Sequence, residues 1–263
     1  MTTTASPTRT RALSALALGV LAVVGMVVAF SLSSTLVKRA ESPGVLVAFW
    51  RMVTVSVAAS STITVLFFAL FGFLFLSTPY LQFVLGYSPS AAGVRVLPYA
   101  GAMIVFAPLS SGLVARFGTK GVTTTGMLLF STGLAIAATL TTGTGYGRLG
   151  IALLFMGAGM GLAGAPATES IMGSLPPERA NIGSAVNDTT RELGGALGVA
   201  IVGSIMASLY GTELADREAF VHAMSRSTIV VAVVAALGAF VTWRYLPARE
   251  ADQDAEAAVL APA

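Results

Sequence analysis

Residues 157–203, GAGMGLAGAPATESIMGSLPPERANIGSAVNDTTRELGGALGVAIVG, are the most informative part of the sequence about the fold. It consists of two apolar segments joined by a polar turn around Pro176 and Pro177. The apolar segments contain four ionisable residues, Glu169, Asp188, Arg191 and Glu192. An ionisable side chain inside hydrocarbon costs about 2.5 kcal/mol or more, so those that persist usually face a bundle interior or a water-filled path. The stretch therefore predicts a helical hairpin in a membrane, with a transport site beside its helices.

The composition of the 263-residue chain is that of an integral membrane protein. Hydrophobic residues make up 55% of it and charged residues only 10%, with a mean hydropathy of +0.83, far outside the range of soluble domains. Several segments exceed the roughly 18 apolar residues that mark a membrane span. We therefore predict an all-α, multi-pass protein of the cell membrane, in contact with the lipid bilayer. The net charge of +3 comes without a basic cluster, so we expect no nucleic-acid partner.

The side chains needed for an enzyme site are missing. Cysteine is absent, which excludes disulfides, thiolate metal sites and thiol catalysis. The single histidine, His222, falls in a polar connection at 210–224, where we expect a solvated loop residue. No buried Ser–His or His-ligand site can be assembled from it. We predict that the chain is not an enzyme and uses no metal or cofactor.

The apolar runs predict about eight membrane helices, or about seven if the second is too short to span. The first, about 12–37, is longer than the roughly 7–15 apolar residues of a signal peptide. The run 45–85 would be about twice the bilayer thickness as one helix. We expect it to fold back at Ser60-Ser61-Thr62 into helices of about 45–59 and 63–85, the shorter of which is alternatively interfacial. Gly86-Tyr87-Ser88-Pro89 predicts a turn, with Ser88 able to cap and Pro89 suited to the first position of the next helix. Five further helices are expected at about 89–114, 122–140, 149–172, 183–209 and 225–245.

Small residues in the segment 157–203 indicate how its helices pack. Gly157 and Gly161 repeat at four-residue spacing toward Glu169, and Gly194 and Gly198 repeat the pattern in the second segment. Such spacing lets membrane helices approach closely, and we predict helix packing for all four glycines. A direct contact between these glycines and a substrate is the alternative.

Cations and carboxylates are unequal in number among the four charged residues, since there is one arginine for three carboxylates. Asp188 precedes Arg191 by three residues, so the two are helical neighbours, whereas Glu192 points about 100° around the helix. We expect Asp188 to pair with Arg191 and Glu169 to exchange protons, since burial raises a carboxyl pKa. Alternatively, Glu169 and Asp188 are ordinary helix-end charges beside the Pro176 turn.

Three segments carry a family resemblance: FFALFGFLFLSTPYLQFVLGYSPSAAGVRVLP (67–98), GLVARFGTKG (112–121) and APATESIMGSLPPERANIGSAVNDTTRELGGALGVAIVGS (165–204). From about residue 60 to 247 the chain resembles the C-terminal part of the fourteen-helix drug/proton antiporter branch of the major facilitator superfamily. The resemblance implies a six-helix half bundle with the 112–121 loop and the C-terminus in the cytoplasm.

The loop at 112–121 is similar to the family element G-x-L-x-D-R-x-G-R-K. It matches at Gly112, Leu113, Gly118 and Lys120 but departs at Ala115-Arg116 and Thr119. Gly112, Arg116, Gly118 and Lys120 are therefore assigned to a conformational loop. We expect Arg116 and Lys120 to act in a latch, by pairing with helix ends and anionic lipid, with simple topology anchoring as the alternative.

Residues 12 to about 55 do not resemble the rest. STLVKRAESPGVLVAFWRM (34–52) is similar to the start of an EamA-type drug/metabolite exporter. The predicted organisation is a polar leader (1–11), this two-helix segment (12–59), the six-helix bundle (60–247) and a disordered acidic tail (248–263).

The family's N-terminal six-helix bundle is missing from this chain. Because alternating access rocks two bundles around a site between them, one bundle alone cannot transport. The predicted function is proton-coupled export of a small apolar or cationic organic substrate, as a half-transporter completed by a homo-oligomer or a second bundle. The alternative is a truncated or fused remnant, or a non-transporting membrane partner.

Overall fold

A computed structural model describes residues 44–173, 180–210 and 216–246, with side chains from residue 55 onward and, in the fourth helix, from residue 181. These ranges form five helices: α1 (Gly44–Pro79), α2 (Pro89–Ala137), α3 (Tyr146–Gly173), α4 (Ala180–Tyr210) and α5 (Arg217–Tyr245). A π-helical turn, Tyr80–Val84, extends α1. All five helices contain a stretch long and apolar enough to cross a membrane. The all-α membrane architecture is confirmed, whereas the predicted first span lies outside the described residues.

Helix α2 is two rods joined at one residue. Gly118 has φ 77° and ψ 156°, which separates a first arm (89–117) from a second arm (119–137). Positive φ at this ψ is a region that essentially only glycine occupies, so the residue type permits the break. The basic loop expected at Arg116–Lys120 is thus reduced to Gly118. With two arms in α2, the described chain contains six rods.

Helix α1 corrects the prediction of a break at Ser60-Ser61-Thr62. The helix runs through these residues without interruption. Two of the three hydroxyls bond back to the preceding turn, with Ser61 Oγ donating to the Val57 carbonyl at 2.7 Å and Thr62 Oγ1 to that of Ala58 at 2.9 Å. A hydroxyl satisfied in this way can remain inside an apolar helix. The separate helix predicted at 45–59 is therefore the first part of α1.

The start of α5 lies earlier than predicted. The Asp216 carboxylate caps the helix, since its Oδ1 accepts from the backbone N–H groups of Glu218 and Ala219 at 2.8 and 3.2 Å. Carboxylates at this position satisfy N–H groups that lack a helical partner. The expected loop residue His222 is exposed, as predicted, but it lies on the helix.

The turn between α1 and α2 was predicted correctly. Ser88 is the N-cap of α2, and its Oγ accepts from the Ala91 N–H at 3.3 Å. Pro89 takes the first helical position, where its missing N–H is not needed. Gly86 supplies the positive φ, 74°, that lets the chain reverse.

The rods assemble around one large apolar core contributed by all five helices, which includes Phe73, Phe130, Leu153, Val202 and Val231. A smaller cluster joins α1, α3 and the end of α5 through Ile63, Ile171 and Leu246. Hydrogen bonds connect the ends of the helices. Tyr80 Oη donates to the Thr141 and Thr144 carbonyls at 3.1 and 3.2 Å, and Ser225 Oγ donates to that of Ala138 at 2.5 Å.

Glycines allow close helix contact on both sides of α3. A Cβ at Gly157 would meet the Tyr99 carbonyl oxygen, and one at Gly161 would lie 2.8 Å from the Ala107 nitrogen, both in the first arm of α2. On the opposite side, a Cβ at Gly159 would lie 2.5 Å from the Gly126 carbonyl oxygen in the second arm. Since added atoms would collide with backbone, α3 can lie between the two arms only with glycine here.

Helices α4 and α1 meet in the same way. A Cβ at Gly194 would meet the Thr64 carbonyl oxygen, and one at Gly198 would meet that of Phe68. Gly72 faces Val202 across the same contact. The four glycines assigned to packing from the sequence therefore lie at two backbone contacts, with α3 against α2 and α4 against α1.

Candidate membrane-depth site

The candidate site lies where α4 meets α1 and α3. Arg191 of α4 donates from Nη2 to Thr168 Oγ1 of α3 at 3.3 Å. Its guanidinium carbon lies 5.2 Å from the centre of the Phe67 ring of α1, within the range of a cation–π contact. Thr168 in turn donates to Asn187 Oδ1 at 3.3 Å, and Asn187 is buried. The three helices therefore converge on one half-buried arginine.

The expected ion pair between Asp188 and Arg191 is not formed. Within the described residues, no carboxylate oxygen lies within the 4.0 Å of an Arg191 nitrogen that an ion pair requires. Asp188, Glu192 and Glu169 are all exposed. The reason lies in the helical register, because Arg191 shares a stripe with Asn187 and Gly194 that faces α1 and α3. Side chains lean toward the helix N-terminus, which carries Arg191 toward Thr168.

The four charged residues lie at different depths in the hydrocarbon core of the membrane. Helix α4 has 31 residues and is about 46 Å long, so a core of about 30 Å leaves about 8 Å at each end. On this centring Asp188 lies about 4 Å inside the core, Arg191 about 8 Å and Glu192 about 10 Å. Glu169, four residues before the end of α3, lies close to the core edge. Glu192 is therefore the deepest carboxylate of the set.

Sequence reasoning missed Thr168, Asn187 and Phe67. The spacing Asn187, Arg191, Gly194 and Gly198 is a four-three-four stripe, and it was available before the structure. This stripe is typical of one buried helix face, so it would have placed Arg191 on the packing surface. Phe67 had no comparable signal, because it is one of many aromatic residues in α1.

One Arg191 nitrogen lacks a partner. Its Nε is buried, and no hydrogen-bond acceptor reaches it within the described part of the chain. An arginine stays charged in proteins and carries five N–H donors. The site is therefore a membrane-depth cation with unused donors, beside an aromatic ring and a hydroxyl.

The residues of the expected conformational loop lie around the break in α2. Gly112 is exposed in the first arm with open space beside it, and Arg116 is exposed two residues before Gly118. Lys120 is the second residue of the second arm, and its Nζ lies 5.5 Å from the centre of the Trp243 ring of α5. The structure thus connects Lys120 to a second helix. For metals, no group of three or more potential ligands occurs across 44–173, 180–210 and 216–246.

The comparisons with known proteins agree with this geometry. A family described as Major Facilitator Superfamily matches residues 8–199. The chain belongs to the major facilitator superfamily. The match begins at residue 8 and thus includes the segment 12–55, whose similarity to an EamA-type exporter stays a prediction.

Relatives in this superfamily include resistance proteins. The chain is 35% identical over 207 residues to the Tetracenomycin C resistance and export protein of Streptomyces glaucescens, covering 79% of this chain and 37% of that one. It is 30% identical over 177 residues to the Multidrug resistance protein Stp of Mycobacterium tuberculosis, covering 67% and 33%. The chain therefore spans about a third of the length of these relatives. As a superfamily member with several apolar helices, it is a multi-pass protein of the cell membrane.

A solved structure shows the same fold. The crystal structure of peptide transporter POT in complex with sulfate superposes with a TM-score of 0.54 at 18% identity, covering 78% of this chain and 43% of that one. The similarity extends over less than half of the solved chain.

Proposed function

We propose that the chain forms one bundle of an export protein for small organic compounds and works with a second bundle that covers the exposed face of α4. The observation that carries this proposal is the exposure of Asp188 and Glu192 at membrane depth. Exposed apolar side chains of α4, such as Leu193 and Leu197, suit a lipid surface equally well. Carboxylates inside hydrocarbon do not, because each costs about 2.5 kcal/mol or more.

A face that carries such carboxylates requires water or protein against it. The covering element is a second bundle, supplied by another copy or by another polypeptide, and the space between the two bundles is the transport path. Family membership supports this arrangement, since alternating access works between two bundles. The names of the two relatives, a resistance and export protein and a multidrug resistance protein, support export as the direction and organic compounds as the substrate class.

Proton coupling is assigned to Glu192. At about 10 Å inside the core it is the carboxylate that a second bundle would desolvate most. Desolvation disfavours the charged form of a carboxylate. Glu169, which the sequence favoured for this role, lies near the core edge, where an ordinary helix-end charge is also stable. Because of these depths, we assign the proposed coupling role to Glu192 of α4 and not to Glu169 of α3.

Transport driven by a pH gradient tests the proposal. The full chain, reconstituted into liposomes, is expected to export a lipophilic fluorescent dye when a proton gradient is imposed. Glu192→Gln is expected to abolish the dependence on the gradient, whereas Glu169→Gln serves as the matched control and keeps it. Gradient-independent transport by the unaltered chain, or an unaffected Glu192→Gln, contradicts proton coupling at Glu192.

The size of the assembly tests the second bundle. In native membranes, chemical crosslinking is expected to trap a species larger than the 26.8 kDa chain. A strictly monomeric protein that still exports dye would contradict the need for a second bundle. A monomer without export would instead support the alternative, a membrane partner that does not transport by itself.

A further inference from the structure

Arg191 has more hydrogen-bond donors than the described chain satisfies. Of its five N–H groups, one donates to Thr168, and the buried Nε has no acceptor. Because Nε has almost no accessible surface, a ligand can bind only at the N–H groups of Nη1 and Nη2. A buried charge without a counter-charge is strongly unfavourable in a protein interior. The half-buried guanidinium therefore has N–H groups on Nη1 and Nη2 for an acceptor that carries negative charge.

The surroundings indicate the shape of that acceptor. Phe67 lies 5.2 Å from the guanidinium and stacks on Phe71, with 6.1 Å between ring centres and 25° between ring planes. A Cβ added at Gly195, one turn beyond Arg191, would lie 3.2 Å from Phe71 Cδ2, so Phe71 lies beside α4; its side chain is 43% exposed. The two phenylalanines thus form an aromatic row that leads from the cation to the surface of the bundle. Flat aromatic rings bind favourably along such a row.

We propose that Arg191 binds the oxyanion of a planar aromatic acid, a carboxylate or a phenolate, whose rings lie along Phe67 and Phe71. This inference rests on the proposed export function and names the substrate class of the same site. It replaces the cationic compounds expected from the sequence with anionic ones. The exposed carboxylates of Asp188 and Glu192 do not neutralise the arginine, because neither reaches its nitrogens.

Thr168 has a positioning role in this site. Its hydroxyl accepts from Arg191 Nη2 and donates to Asn187 Oδ1, so it holds one end of the guanidinium in place. Arginine presents paired N–H groups that match the two oxygens of a carboxylate. Lysine at this position would keep the charge and lose the paired geometry.

Equilibrium binding of matched probes tests the proposal without requiring transport. The full chain in lipid nanodiscs is titrated with radiolabelled 2-naphthoate, with the neutral 2-naphthamide and the cationic 2-naphthylmethylammonium as competitors. We expect 2-naphthoate to bind at least about tenfold more tightly than either competitor, because charged hydrogen bonds are worth about 1.5–3 kcal/mol. Equal affinity for the three probes, or tighter binding of the cation, would overturn the proposal.

Substitutions assign the effect to the arginine. Arg191→Gln is expected to weaken 2-naphthoate binding by about ten- to hundredfold and Arg191→Lys by less. Arg148→Gln, at an exposed arginine in the first turn of α3, is the matched control and is expected to leave binding unchanged. If Arg191→Gln does not fold, Thr168→Val, expected to weaken binding severalfold, decides the question. Equal effects of the Arg191 and Arg148 variants would overturn the assignment.

A neighbouring chain could also supply the missing negative charge. In that case Arg191→Gln would dissociate the crosslinked assembly and leave 2-naphthoate affinity unchanged, which would overturn the proposal. Binding of 2-naphthoate with no export in liposomes would instead contradict the proposed function and leave the binding site standing.

Discussion

Thr62 and Thr242 share a hydrogen bond, with 2.8 Å between their Oγ1 atoms, in the buried contact between α1 and α5. Each hydroxyl oxygen also lies 2.9 Å from the carbonyl oxygen of its own preceding turn, Ala58 for Thr62 and Gly238 for Thr242, so two hydroxyl protons are shared among these three hydrogen bonds. Thr242 further contacts Met127 Sδ of α2 at 3.0 Å. One polar pair thus connects three rods near the end of the bundle that carries the Gly118 break.

We predict that Thr62→Val destabilises the protein by about 0.5–2 kcal/mol. The substitution keeps the side-chain shape and removes the interhelical bond, and such bonds in membranes are typically worth about 0.6–2 kcal/mol. Thermal unfolding in detergent measures the loss. Thr132→Val is the control, because the exposed Thr132 bonds only to the Leu128 carbonyl of its own helix. Equal losses in the two variants would show that the pair contributes nothing specific.

Two glycines of α4 give a second, paired prediction. A Cβ at Gly198 would meet the Phe68 carbonyl oxygen, whereas one at Gly203 would lie 3.6 Å from Phe75 Cε1, an ordinary contact. Gly198→Ala is expected to force α4 away from α1 and cost about 1–3 kcal/mol of stability. Gly203→Ala is expected to be neutral or stabilising by up to about 1 kcal/mol, since alanine favours helix. Calorimetric or fluorescence unfolding of both variants would show no difference if the helix contact were loose.

The latch assigned to the α2 break is predicted to depend on Lys120 more than on Arg116. Lys120 lies beside the Trp243 ring, while Arg116 is exposed and makes no ion pair or ring contact in the described ranges. A cation–π contact at an exposed site is worth about 0.5–1 kcal/mol. We therefore expect Lys120→Gln to change the dye-export rate about two- to fivefold and Arg116→Gln to change it less. Inverted membrane orientation with unchanged export in either variant would favour simple anchoring instead.

Continuity of α1 changes the predicted topology. With one crossing rather than two between residues 44 and 84, we predict six crossings for the described chain and a seventh from the span predicted at about 12–37. If the Gly118 break is cytoplasmic, as the resemblance implies, the N-terminus is then extracytoplasmic and the C-terminus cytoplasmic. Reporter fusions at both ends check this assignment. A cytoplasmic N-terminal reporter would restore the eight-span arrangement.

The sequence predicted the helix bounds well where small residues and turn residues are informative. Helices expected at about 149–172 and 183–209 are observed at Tyr146–Gly173 and Ala180–Tyr210, and Ser88-Pro89 marked the start of α2. It failed at Ser60-Ser61-Thr62, because hydroxyls bonded to their own helix look the same in sequence as hydroxyls in a turn. It also placed the start of α5 too late, since the capping Asp216 lies among polar residues that resemble a loop.

The sequence indicated which charged residues lie in the hairpin but not which side chains they contact. Periodicity located the four charged residues in the hairpin, yet the choice of partner for Arg191 depends on which side chains α1 and α3 present to it. Thr168 and Phe67 are far away in sequence, and helical spacing within α4 contains no information about them. Asp188 was a reasonable neighbour by spacing alone, and tertiary packing overrode it.

The single-residue break at Gly118 also limits how this chain can change in length. A residue inserted or deleted at that point would turn the second arm of α2 by about 100° about its axis relative to the first. Gly126 and Gly133, which allow the second arm to lie against α3, would then point away from it. The connection at 138–145 has several non-helical residues and can absorb such a change. Insertions and deletions in related sequences should therefore accumulate after α2 and be rare within it.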